Sequence, residues 1–205
     1  MEEIHCHGGV NKKMSDKILF QCDYNEGAHP KVLERLVQTN MVQTPGYSED
    51  KYCEEAREKI RKACGDDSLA VHFLVGGTQT NVTVINAALR KHQGVLCAVT
   101  GHINVHETGA VEACGHKVLG LESPDGKITA AQVAEAYEAH IHNDSFEHMV
   151  QPKMVYISNP TEVGTIYSKA ELTALSETCH KYGLYLFLDG ARPVSYTHLT
   201  LPTKR

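Results

Sequence analysis

Tryptophan is absent from this chain of 205 residues, and phenylalanine occurs only four times. No apolar run approaches the roughly 20 residues that a membrane-spanning helix needs. Residues 1–17 are polar and contain no apolar leader, so we expect neither export nor membrane insertion. There is no CxxC pair, and the seven cysteines cannot all pair with one another because their number is odd. We therefore expect reduced thiols and a cytoplasmic location.

Long blocks of positive charge are also missing. The 20 lysines and arginines stand against 25 aspartates and glutamates, which leaves a formal net charge of −5. This balance argues against a nucleic-acid partner and favours a small ligand. The apolar fraction of 41% and the charged fraction of 22% are typical of globular domains and argue against collagen-like, coiled-coil and disordered classes.

Short apolar runs alternate with amphipathic segments along most of the chain. Early helices are predicted over Pro30–Asn40 and from an N-cap at Ser48 to Gly65. Strands are predicted at Ala70–Val75, Val95–Val99, Lys117–Leu121, Met154–Ser158 and Leu184–Leu188. The helices between them are predicted at Thr80–His92, about Val105–Ala113, about Thr129–His142, and from the capping box Ser168/Glu171 to Gly183. This order predicts an α/β fold, a three-layer sandwich with a mostly parallel sheet.

The first candidate site is the segment Gly76–Asn81, which follows the first predicted strand of this alternation. Ligands of parallel α/β sheets bind at the carboxyl ends of strands. Here a glycine pair opens a helix, so the backbone can approach a phosphate whose charge the free N–H groups attract. The segment matches neither the Walker loop nor the GxGxxG dinucleotide turn. A plain strand-to-helix turn with a Thr/Asn cap is the alternative interpretation.

The second candidate joins Asp189, at the end of the last apolar strand, to Arg192. A carboxylate in a site of low dielectric can keep a ring nitrogen protonated, and an arginine beside it can bind a substrate carboxylate in a bidentate manner. This pair suits amino-acid chemistry. A structural ion pair at a strand end is the alternative.

The third candidate is the segment from Gly101 to Glu107, which follows the strand Val95–Val99. His102 could stack on a flat ring, or His102 and His106 could ligate a metal with Glu107 nearby. A histidine pair four residues apart is a weak signal in a chain with 13 histidines, and no third ligand follows at a zinc-site spacing. Two solvent-facing histidines remain the third interpretation.

Taken in chain order, these motifs resemble a known enzyme family. The matching residues are Cys22-Asp23, Thr44-Pro45-Gly46-Tyr47, Gly77-Thr78-Gln79-Thr80-Asn81, His102 with Glu107, Asn159 with Thr161, and Asp189-Gly190-Ala191-Arg192. Between about Ile18 and Arg192 the chain resembles the amino-terminal part of the threonine aldolase and β-eliminating lyase family. Its members use pyridoxal phosphate on the aspartate aminotransferase-like fold.

The resemblance implies a role for each matching residue. Gly77 and Thr78 would hold the cofactor phosphate, His102 would stack on the pyridine ring, and Asp189 would pair with the ring nitrogen. The resemblance also implies that Arg192 binds the substrate carboxylate and that Tyr47 and Cys22 lie near the substrate. Cys22 stands where relatives often carry serine or asparagine. His102, Asp189 and Arg192 are thus the expected catalytic residues, and no metal is expected.

The resemblance also implies how the chain is organised. Residues 1–17 would be a polar extension, residues 18–192 part of the pyridoxal-phosphate-binding large domain, and residues 193–205 a tail unlike the family, the product of a shifted reading frame or a cloning adaptor. The family's Schiff-base lysine lies beyond the Asp-Gly-Ala-Arg motif, and no lysine of this chain fits that role. We therefore expect an incomplete domain with little turnover and with a sheet edge that favours aggregation.

The implied activity is the cleavage of L-threonine to glycine and acetaldehyde by a carbon–carbon lyase, a homodimer or homotetramer in full-length form. Three alternatives remain open at this point. One is a β-eliminating lyase acting on another amino acid. Another is a metal-dependent hydrolase that uses His102, His106 and Glu107. The third is a binding fragment without catalysis.

Overall fold

The chain divides between Val71 and His72 into two units, and the computed structural model describes Asn25 and residues 27–190 of them. The predicted domain boundaries after residues 17 and 192 lie outside the described residues. Within the part of the chain that is described, no helix combines the length and the apolar character that a membrane crossing requires.

The described part of the first unit contains two helices, α1 (Pro30–Thr39) and α2 (Lys51–Cys64). Helix α2 begins at Asp50, whose carboxylate accepts hydrogen bonds from two backbone N–H groups of the first turn. The predicted N-cap at Ser48 is therefore wrong: Ser48 has a φ of 63° in the turn before the helix, and Asp50 has the extended backbone that a capping residue needs. Gly65 ends α2 in the left-handed conformation, as predicted.

The second unit is built on a four-stranded sheet. Its elements are α3 (Gly77–Ala88), β1 (Gln93–Ala98), α4 (His102–Val105), α5 (Ala110–Ala113), β2 (Val118–Leu121), α6 (Ala130–Ile141), a 3-10 turn (Phe146–His148), β3 (Gln151–Ser158), α7 (Lys169–Tyr182) and β4 (Tyr185–Asp189). The strand order is β2-β1-β3-β4, and every neighbouring pair is parallel. The α/β fold with a parallel sheet is confirmed.

Two apolar clusters, one on each face of the sheet, make up the core. Alternate residues of β1 divide between them: Leu96 and Ala98 pack with residues of α6 and α7, whereas Val95 and Cys97 pack with residues of α3, α4 and α5. Because successive side chains of a strand point to opposite faces, this division gives helix, sheet and helix layers, as the sequence predicts.

Helices α6 and α7 begin with capping boxes that fix where each helix enters its layer. Thr129 and Gln132 exchange side-chain and backbone hydrogen bonds at the start of α6, and Ser168 and Glu171 do so at the start of α7. Gly183 ends α7 with a φ of 63°. The capping box and the stop that the sequence predicts for α7 are confirmed.

Two predicted elements are wrong. Ala70–Val75 is not a strand, and the sheet does not include it; the exposed fractions of Leu74 and Val75 are 41% and 96%. An apolar run becomes a buried strand only where a neighbouring strand pairs with it. The single helix expected at about Val105–Ala113 is two short helices, because Thr108 and Gly109 adopt φ values of 51° and 72° that no α-helix accommodates.

Candidate active site

Several polar residues of the second unit lie at the carboxyl ends of β1, β3 and β4. Helix α4 starts four residues after β1, the loop 159–165 follows β3, and Asp189 is the last residue of β4. Parallel strands bring these ends to one edge of the sheet, where the sequence predicts the site.

The start of α3 is open. Gly76 is the N-cap residue with extended backbone, and no side chain of the described residues caps the helix. A Cβ added at Gly76 or Gly77 would meet no atom within 4 Å. The first N–H groups of a helix have no intrahelical acceptor, and no described side chain accepts from them here, at the positive end of the helix dipole. This arrangement can accept an anionic group such as a phosphate.

A hydrogen-bond chain connects α3 to the ring of His102. Asn81 Nδ2 donates to Glu107 Oε1 over 2.6 Å, and His102 Nδ1 lies 2.8 Å from the same oxygen. The Glu107 side chain is completely buried, whereas about a third of the His102 side chain is exposed. The buried carboxylate therefore fixes an imidazole that still reaches the surface.

Glu162 joins the end of β1 to the end of β3. Its Oε1 accepts a hydrogen bond of 2.9 Å from the backbone N–H of His102 and one of 2.5 Å from Ser158 Oγ. A carboxylate that accepts a backbone N–H and a hydroxyl is held firmly, because bonds to an ionised acceptor are the stronger kind. Glu162 thereby fixes the backbone of His102, while Glu107 fixes its ring.

Asp189 is held by a tyrosine from the neighbouring strand. Tyr156 is 1% exposed, and its hydroxyl donates to Asp189 Oδ2 over 2.6 Å. Burial, and then the hydrogen bond to Asp189, raise the pKa of the Tyr156 phenol far above its ordinary value. Tyr156 is thus a permanent donor, and it orients the Asp189 carboxylate at the strand end.

The structure brings together part of the predicted site. Asn81 of the glycine motif and His102 belong to one hydrogen-bonded chain, and Asp189 ends β4, which β3 separates from β1 in the sheet. Tyr47 lies in the other unit, fully exposed and with a φ of 60°. Cys22 and Arg192 lie outside the described residues.

Sequence reasoning missed Tyr156, Ser158 and Glu162. Ser158 and Glu162 follow an apolar strand at its carboxyl end, so the rule that led to Asp189 could have found them. Tyr156 gives no such signal, because a tyrosine within an apolar strand is most often core.

The metal-hydrolase alternative receives no support from this geometry. Among residues 25 and 27–190, no three His, Cys, Asp or Glu side chains are placed to hold a metal ion. The Nδ1 atom of His102 faces Glu107, and the His106 ring centroid lies 5.5 Å from that of His102 in a tilted ring contact.

The fold is a three-layer sandwich whose central sheet is parallel and carries polar side chains at its strand ends. This is the large-domain fold of pyridoxal-phosphate-dependent transferases. The pyridoxal-phosphate-bound C–S lyase of Staphylococcus hominis shares this fold, with a TM-score of 0.51 and 14% identity over 78% of this chain and 40% of that chain. The family profile Beta-eliminating lyase matches residues 23–197, and the chain belongs to this family.

Two threonine aldolases are among the relatives of this chain. The low specificity L-threonine aldolase of a Pseudomonas species is 33% identical over 84% of this chain and 49% of its own length. A threonine aldolase structure from Leishmania major is 46% identical, with a TM-score of 0.81 over 89% of this chain and 52% of that chain. The chain spans about half the length of these relatives.

Proposed function

We propose that this chain carries the cofactor-binding part of a pyridoxal-phosphate-dependent carbon–carbon lyase that cleaves L-threonine to glycine and acetaldehyde. One observation carries the proposal: the open start of α3, the fixed ring of His102 and the oriented carboxylate of Asp189 all belong to one end of the unit 72–190. Two threonine aldolases among the relatives support the choice of substrate.

The donor set of this end suits pyridoxal phosphate. The free N–H groups at Gly77 and Thr78 would hold the phosphate, the face of His102 would stack on the ring, and Asp189 would accept a hydrogen bond from the ring nitrogen. When bound, the cofactor supplies an electron sink for the charge left on Cα as a substrate bond breaks. Burial of Tyr156 against Asp189 excludes water from one side of that carboxylate.

The substrate would be held by residues outside this cluster. We assign the substrate carboxylate to Arg192, whose guanidinium can bind it in a bidentate manner, and place Tyr47 and Cys22 beside the amino acid. His102, Asp189 and Arg192 are the proposed catalytic residues.

A cofactor titration of the purified chain tests the proposal. We expect pyridoxal phosphate to bind with a change in its absorption band, pyridoxal without the phosphate to bind much more weakly, and Asp189→Asn to weaken binding by about tenfold or more, as the loss of one charged hydrogen bond predicts. Asp144→Asn is the matched control, since Asp144 is exposed and lies in the loop after α6. Equal binding of both compounds, or equal affinity in the two variants, would refute the cofactor site.

The substrate class needs a separate measurement. L-threonine and an S-alkyl cysteine are each titrated calorimetrically into the cofactor-loaded chain, and we expect heat from L-threonine. Heat from the cysteine derivative alone would favour a β-eliminating lyase instead. Acetaldehyde release should stay near background, because no lysine among the described residues fits the Schiff-base role that the family's chemistry requires.

Location and assembly complete the proposal. The described cysteines, Cys53, Cys64, Cys97, Cys114 and Cys179, are all unpaired, which supports a reducing compartment, the cytoplasm.

A homodimer or homotetramer would cover the apolar face of α1, where Val32, Leu36 and Val37 are 50%, 58% and 78% exposed. Light scattering coupled to gel filtration measures the assembly, and a strictly monomeric holoprotein would count against it.

A further inference from the structure

We infer that Glu107 is a positioning residue that fixes His102 in the tautomer with its proton on Nδ1, so that Nε2 is the only acceptor nitrogen of the ring. The use of that ring rests on the proposed function. How the ring is held does not, because the contact involves only residues of this chain.

The burial of Glu107 calls for an explanation. Its side chain has no exposed surface, and Oε2 has no hydrogen-bond partner among the described residues. A buried carboxylate oxygen without a partner is destabilising, so a residue chosen for stability alone would be apolar or fully paired here. The contacts that set Glu107 apart are those of its other oxygen, Oε1.

Glu107 Oε1 receives two contacts from different elements. Asn81 Nδ2 of α3 donates to it over 2.6 Å, and His102 Nδ1 of α4 approaches it to 2.8 Å. Oε1 acts as the acceptor toward Asn81, and a carboxylate oxygen can accept a second hydrogen bond, so we assign the hydrogen between Oε1 and Nδ1 to the imidazole. The hydrogen bond made by one ring nitrogen decides the state of the other, so Nε2 carries the lone pair.

Other contacts limit the movement of His102. Glu162 accepts the His102 backbone N–H, and the ring of His106 lies against the imidazole at a centroid distance of 5.5 Å. No partner of Nε2 is present among the described residues. The backbone is thus fixed by one carboxylate and the ring by another, and the nitrogen left over is the one opposite the buried edge.

Nitrogen NMR of the cofactor-free chain, labelled at histidine, tests the inference. The signal lost in His102→Gln identifies the residue, and we expect it to report the Nδ1–H tautomer. In Glu107→Met, which fills similar volume without an acceptor, the signal should move to the Nε2–H form that free imidazole favours. In Glu107→Gln the amide oxygen can still accept from Nδ1, so the Nδ1–H form should be restored.

Glu112→Met is the matched control, because Glu112 is exposed on α5 nearby and should leave the His102 signal unchanged. A wild-type chain in the Nε2–H form overturns the inference whether or not any variant folds. So does a folded Glu107→Met chain that keeps the Nδ1–H form, since Glu107 would then be only a structural link to Asn81. Failure of the cofactor titration would refute the proposed function and leave this result untouched.

Discussion

At the scale of single residues, the hydroxyl of Tyr156 makes the contact with the clearest energetic consequence. Tyr156→Phe keeps the ring and removes the hydroxyl, which donates to Asp189 Oδ2 over 2.6 Å and accepts a longer contact of 3.5 Å from Ser158 Oγ. A hydrogen bond to a charged group contributes about 1.5–3 kcal/mol, so we expect the free energy of unfolding to fall by about that amount. Urea unfolding followed by circular dichroism measures the change.

Tyr137→Phe is the control for this substitution. Tyr137 packs its ring on that of Tyr182 at 4.7 Å, and its hydroxyl has no hydrogen bond to any described residue. We expect a change within about 0.5 kcal/mol, as for other substitutions away from buried polar contacts. Equal effects of the two variants would mean that the Tyr156 hydroxyl adds no stability.

The residues of the site differ in how well the sequence could predict them. Glycine-rich turns and strand-end carboxylates are local signals, so Gly77, Thr78 and Asp189 could be proposed from spacing. Which acceptor holds His102 depends on how β1 and β3 pair, and Glu162 lies 60 residues from the backbone N–H that it accepts. A contact of that kind is a product of the sheet order.

At the scale of elements, helix boundaries follow from capping chemistry, and strands follow from their neighbours. The sequence predicts both ends of α7 because Ser168, Glu171 and Gly183 act within the helix itself. It fails at Ala70–Val75 because a strand needs a partner, which no local pattern supplies. It also fails at α4 and α5, where a left-handed Thr108 is not a residue that signals a break.

The start of α7 should make the chain sensitive to acid. The hydrogen bond from Lys127 Nζ at 2.6 Å, and then the backbone and hydroxyl of Ser168, lower the pKa of Glu171 to about 2. The pKa of an ordinary glutamate is about 4.3, so at pH values between 2 and about 4.3 the unfolded chain binds more protons than the folded one. The contribution to stability is therefore complete above about pH 4.3 and is lost as the pH falls toward 2.

Glu171→Gln should remove this part of the acid sensitivity. We expect the urea midpoint of the wild-type chain to decline more steeply between about pH 5 and pH 3 than that of the variant. Because the pair is partly exposed, added salt should reduce the difference. Glu177→Gln, on the exposed side of the same helix, is the control. Identical slopes in all three proteins would contradict the assignment.

The beginning of β1 has no room for a side chain at Gly94. An added Cβ would lie 2.7 Å from the backbone oxygen of Lys117 and 2.8 Å from Val150 Cγ1. Gly94→Ala must therefore push β2 away from β1, and overpacking of this kind costs about 1–3 kcal/mol. We expect a lower thermal midpoint, measured by circular dichroism.

Gly46→Ala controls for the change in glycine content, because a Cβ at Gly46 would meet nothing within 4 Å. Its thermal midpoint should stay the same or rise slightly, since alanine restricts the unfolded chain. A Gly94→Ala chain as stable as Gly46→Ala would mean that β1 and β2 separate at no cost.

At the scale of the whole molecule, stability is distributed unequally between the two units. Neither α1 nor α2 contains a buried residue, whereas β1 is buried throughout and β3 over most of its length. Segments with little buried apolar surface open at low free energy. We expect the amides of α1 and α2 to exchange with deuterium well before those of β1 and β3.

Hydrogen exchange followed by mass spectrometry measures this order within one sample, so each peptide is the reference for the others. Peptides covering 30–64 should label first, and those covering 93–98 and 151–158 last. Equal protection of α1 and β3 would show that the first unit gains its stability from burial that its own helices do not provide.

The division of the core into two clusters has a consequence for how this chain can vary over evolution. Because Leu96 and Ala98 face α6 and α7 while Val95 and Cys97 face α3 to α5, the backbone of β1 insulates one side chain set from the other. Compensating substitutions can then accumulate on the face of the sheet that packs against α6 and α7 without disturbing the layer that supports His102. Helices α6 and α7 can therefore change in sequence while α3 to α5 and the contacts of His102 stay the same.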